Sequence, residues 1–99
     1  MIVAFSVSPS GGDPDGGVSE AVARAVRVVR ESGLPNSTNA MFTNVEGEWD
    51  EVMDVVKRAV QAAGEGAARV SLVLKADIRP GFDSGQLEAK VDRLEEHLR

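Results

Sequence analysis

The chain has 99 residues, 42% of them apolar, enough to build one hydrophobic core in a single domain spanning residues 1–99. Sixteen acidic residues against eleven basic ones leave a net charge of −5 with no basic cluster, so nucleic acid is not an expected partner. Cysteine is absent, which excludes disulfides, thiolate metal sites and a cysteine nucleophile.

No apolar run approaches the roughly 20 residues that cross a bilayer, and no membrane association is expected. The apolar run Ile2 to Val7 lacks the basic start and the length of a secretory signal. A cytoplasmic protein is the expectation.

The first strand is predicted over Ile2 to Ser8. Val3, Phe5 and Val7 alternate with Ala4, Ser6 and Ser8, the pattern of a strand with one face on a core. Ser8 to Gly17, SPSGGDPDGG, is a turn-forming connector. A helix follows from Val18 to Ser32, with Val18, Val22, Val26 and Val29 as its core stripe and Glu20, Arg24, Arg27 and Glu31 opposite. Gly33 and Pro35 end it.

Ser37 to Val45 reads as two short strands with a reversal near Phe42. A second helix spans Glu48 to Ala63, carrying Trp49, Val52, Met53, Val56, Val60 and Ala63 on its apolar face. Its first turn is acidic, which suits the helix dipole. Arg69 to Arg79 is predicted as a long last strand, with Val70, Leu72, Leu74, Ala76 and Ile78 facing the core. Asp83 and Gln86 have capping-box spacing ahead of a final helix with Leu87, Val91, Leu94 and Leu98 at i, i+4, i+7 and i+11. The order β-α-β-β-α-β plus a terminal helix is the α+β ferredoxin-like arrangement: an antiparallel sheet with two helices on one face and the other face open.

Gly12 to Ser19 imitates a phosphate loop, but valine stands where the lysine is needed, and Asp13 and Asp15 would repel an anion. Asp13, Asp15 and Gly16 echo a calcium loop whose closing glutamate is replaced by Arg24. His97, the single histidine, lies three residues from the end and suits a helix terminus better than a general base. No metal site is expected. Trp49 is expected in the core. Asn39, Thr43 and Asn44 are polar residues within a β-like segment, positioned either for solvent or for a ligand at the sheet. Lys75, Asp77 and Arg79 alternate on one face of the last strand, as edge protection or as pairing groups.

MIVAFSVSP, VSEAV, ESGLPNSTNAMFTNVEGEWDEVM and RVSLVLKADIRPG together resemble the thiamine-binding protein family over almost the whole chain. The core of the resemblance is Ser32, Gly33 and Leu34, followed by Met41, Thr43, Glu46, Gly47, Glu48 and Trp49. Many members carry a tyrosine after the SGL-type turn and proline-methionine-glycine before the threonine. This chain has Pro35 and Asn36, then Ala40, Met41 and Phe42.

The resemblance implies a non-enzymatic domain that packs through its open sheet face into homodimers and homotetramers. It also implies binding of thiamine or its hydroxymethylpyrimidine part, with no required cofactor. Ser6, Ser8, Asn39, Met41, Thr43, Glu46, Trp49 and Asp77 are the expected ligand-binding residues. Amides, hydroxyls and carboxylates match an aminopyrimidine's donors and acceptors. The alternative is a structural or regulatory protein-interaction module without a small-molecule ligand, and a third reading is an acid–base enzyme using Glu46 and Asp77. A first strand of seven residues beside a last strand of eleven also predicts unpaired strand ends available to a second subunit.

Overall fold

The computed structural model describes residues 1–11 and 18–99. The elements run β1 (Ile2–Ser10), α1 (Val18–Glu31), β2 (Asn36–Thr38), β3 (Thr43–Glu46), α2 (Trp49–Ala63), β4 (Arg69–Asp77) and α3 (Gln86–His97). The sheet order is β2-β3-β1-β4 with every neighbour antiparallel, so the expected ferredoxin-like arrangement is the observed one. The phosphate-loop and calcium-loop imitations rest on positions 12–17, outside the described residues.

Alternation along β1 decides which face becomes the core. Val3, Phe5 and Val7 are buried, and across from Val3 so is Val45 of β3. α1 and α2 cover this face with Ala25, Val29, Val52, Val55, Val56, Ala59 and Ala63. Each fully buried valine contributes about 1.5–3 kcal/mol relative to exposure. The α1 stripe is rotated from the predicted one: Ala21, Ala25 and Val29 are buried, whereas Val22 and Val26 are only half-buried. Small side chains at the α1–α2 seam let the two helices approach, and the larger valines flank it. Arg24, expected on the solvent stripe, donates from Nε to the Ala62 carbonyl at 2.9 Å and so caps the C-terminal end of α2.

Two strand lengths differ from the sequence expectation, and the difference removes an argument. β1 continues through Pro9 to Ser10, and β4 stops at Asp77, so all nine pairs from Ile2↔Asp77 to Ser10↔Arg69 are made. Pro9 is tolerated because β3 pairs only with Ile2 to Phe5, which leaves β1 an edge strand at that point. No overhanging end of β4 is therefore left for another subunit. Its outer edge instead has no strand beside it among the described residues, since β4 closes one side of the sheet.

Between β2 and β3 the chain reverses at Asn39–Phe42. The Asn39 N–H donates to the Phe42 carbonyl at 3.0 Å, and its side-chain oxygen accepts from the Met41 and Phe42 N–H groups at 2.9 Å each. α2 opens on Glu48, whose N–H donates to the Glu51 carboxylate. Trp49 is 55% exposed, contrary to its expected place in the core. As the first residue of α2 it leans toward the helix N-terminus, and the buried line begins one turn later at Val52.

Candidate functional site

On the open face, Glu46, Ile2 and Asp77 form a row across β3, β1 and β4. Strand spacing puts the two acidic residues about 10 Å apart along that row. Both hold α3. Glu46 is fully buried, and its carboxylate accepts the Gln86 N–H at 2.9 Å on Oε2 and 3.2 Å on Oε1, with the Leu87 N–H at 3.3 Å on Oε1. A carboxylate facing the first N–H groups of a helix satisfies orphan donors and complements the positive end of the dipole.

The expected Asp83–Gln86 capping box does not form, because Glu46 takes that role from 40 positions away. Asp83 instead pairs with the Met1 ammonium at 2.8 Å, and Gly85 holds the N-cap position in the left-handed region at φ 77°. One turn into α3, Lys90 Nζ lies 2.6 Å from an Asp77 oxygen. That hydrogen bond, together with the lysine charge, holds the Asp77 carboxyl below the ordinary aspartate range.

Fastened at this end, α3 leaves a cleft of about 610 Å³ between itself and β2. Pro35, Asn36 and Ser37 form one wall, Glu46 lies at the base, and Gly85, Leu87, Glu88, Val91 and Asp92 form the other wall. The volume falls within the usual range for small-molecule sites, and the lining pairs apolar surface with three carboxylates. No lysine, arginine or histidine is among its lining residues.

A second hollow of about 150 Å³ lies where β1 outruns β3, between the β2–β3 hairpin and α1. Ser6, Asn39, Met41 and Thr43 of the expected ligand set meet there. Met41 is 72% exposed at the hairpin tip. Thr43 is buried, with its hydroxyl 3.4 Å from that of Thr38. The Asn39 carbonyl oxygen is already committed to the turn.

The expected ligand residues are therefore divided. Glu46 lines the larger cleft and four others line the smaller hollow, while Ser8, Trp49 and Asp77 line neither. The α3 wall was missed, although its sequence held a signal. At about 100° per residue, Glu88, Asp92 and Glu95 fall on one flank of the Leu87-Val91-Leu94-Leu98 stripe and Lys90, Arg93 and His97 on the other.

Comparison with known proteins shows the family and the fold. The family model described as "Thiamine-binding protein" matches residues 3–95. UPF0045 protein Mb1933 of Mycobacterium bovis is 52% identical over 99 residues, covering 99% of this chain and 94% of its own. A solved Bacillus cereus domain of unknown function, DUF77, superposes with a TM-score of 0.75 at 38% identity, over 85% of this chain and 80% of that one. A Thermotoga maritima protein, named as a candidate for thiamine biosynthesis or salvage, superposes with a TM-score of 0.73 at 29% identity, over 95% and 99% of the two chains. The chain belongs to the thiamine-binding protein family.

Proposed function

We propose that this protein is a non-catalytic carrier, buffer or sensor that binds thiamine or its hydroxymethylpyrimidine part in the cleft between β2 and α3. The carrying observation is the cleft itself, of about 610 Å³, with the buried Glu46 at its base. Family membership supplies the ligand class. An aminopyrimidine presents a donor and ring acceptors to amide, hydroxyl and carboxylate groups, and Asn36, Ser37 and the exposed Glu88 and Asp92 offer them. Apolar contact from Pro35, Leu87 and Val91 suits the ring faces.

A non-catalytic role is favoured by how the two carboxylates of the acid–base alternative are used. Glu46 is bonded to the α3 backbone and Asp77 to Lys90. Titration calorimetry with thiamine and with hydroxymethylpyrimidine tests the reading, and measurable heat with a raised melting temperature is expected. Absence of both at millimolar ligand would overturn it.

The proposal includes assembly. A homodimer through the open sheet face, and a homotetramer built from it, are favoured by the small or apolar Ala4, Ser6, Ser71 and Val73 on that face. The free β4 edge and the exposed Leu94 and Leu98 of α3 offer the second contact. The same surfaces support the second reading, an interaction module without a ligand, which expects oligomers and no stabilisation by thiamine.

A further inference from the structure

We infer that the β2–α3 cleft selects the unphosphorylated, cationic vitamin form and rejects its phosphate esters; this rests on the thiamine-binding reading above. Phosphorylation of the thiamine side chain turns a cation into a net anion, so the charge of the lining decides which form is held.

Three acidic residues, Glu46, Glu88 and Asp92, line the cleft, and Pro35, Leu87 and Val91 supply its apolar surface. A feature at the cleft that would attract a phosphate is the N-terminal end of α3, where the first N–H groups and the dipole favour an anion. Glu46 already occupies it with three hydrogen bonds of 2.9–3.3 Å, so a phosphate finds a carboxylate where it would need a donor.

Two neighbouring cations are paired with carboxylates: Lys90 with Asp77 and the Met1 ammonium with Asp83. Arg93 donates to the neutral Gln86 side chain and keeps its charge, but away from the acidic wall. Lys90 and Arg93 stand on the flank of α3 opposite Glu88 and Asp92. A thiazolium cation is attracted by this lining, and a diphosphate is repelled by it.

Calorimetric titration of the wild-type protein with thiamine and with thiamine diphosphate, repeated on a Glu88→Lys, Asp92→Lys double variant, tests the inference. Both substituted side chains are exposed, and circular dichroism checks that the variant keeps its fold. Wild type is expected to bind the diphosphate at least about tenfold more weakly than thiamine, with a gap that shrinks in high salt. The double variant is expected to close or invert that gap. Equal or tighter binding of the diphosphate by wild type would overturn the inference and leave the thiamine reading standing. A preference for thiamine that the double variant leaves unchanged would overturn it too, by showing that the cleft charge is not its source. Failure of wild type to bind either compound removes the thiamine reading, and the inference with it.

Discussion

Glu46 joins two tasks in one side chain, since it caps α3 and forms the base of the cleft. Removing it leaves two helix N–H groups without their partner. Glu46→Ala is expected to lower unfolding free energy by about 1–3 kcal/mol in urea titration. Glu46→Gln keeps an acceptor and loses the charge, so a smaller loss is expected, about 1 kcal/mol. Hydrogen exchange at the Gln86 and Leu87 amides should accelerate in both variants, more in the alanine.

Asp77 gives a pH signature of a different kind. Its pKa is depressed by the hydrogen bond to Lys90 and by the charges of Lys90 and Lys75. A carboxyl lowered in the folded state stabilises above its unfolded pKa, and the contribution fades as pH falls through the depressed value. An NMR titration should place Asp77 below an ordinary aspartate and, in Lys90→Met, closer to it. No movement in the variant would show that the ion pair does not persist in solution.

Among the elements, the α1–α2 seam makes the sharpest demand on side-chain size. Ala25 is 2% exposed and Ala59 is fully buried. Ala25→Leu is expected to destabilise by about 1–3 kcal/mol through overpacking, read as a lower melting temperature. Ala23→Leu, on the exposed side of the same helix, should be near neutral.

The sequence was legible wherever one periodicity governed an element. Val3, Phe5 and Val7 marked the buried face of β1, and Val52, Val56 and Ala63 marked that of α2. It misled where two neighbours compete for a helix. The valines of α1 outweigh its alanines in apolarity, yet close approach to α2 favours the alanines. Trp49 shows that apolarity in a first helical turn does not secure burial. The cleft was only partly visible, because Glu46 meets Gln86 across 40 positions that no local pattern connects. Asn39, singled out as a ligand group, lines the smaller hollow and also folds the hairpin through its side-chain oxygen, a second role that its sequence position alone does not disclose.

At the scale of the molecule, the open face bears on assembly. Val73 is 55% exposed on β4, opposite Ser6. If copies pack through this face, Val73→Arg should convert the assembly to monomers in light scattering, whereas Arg27→Ala on α1 should leave it intact. A stable wild-type monomer at micromolar concentration would overturn the assembly proposal.

The register of β1 also fixes a timetable. This central strand precedes its partners β3 and β4 in the chain, and the β4 pairs join residues about 60 to 75 positions apart. Until β4 leaves the ribosome, β1 has Val3, Phe5 and Val7 with no strand on one side and an unsatisfied row of backbone groups. Contacts this distant in sequence slow folding, because the loop must close before the ladder can stabilise it. Between the synthesis of β1 and that of β4 about 60 residues are added, and through that interval β1 has at most β3 beside it and one open edge.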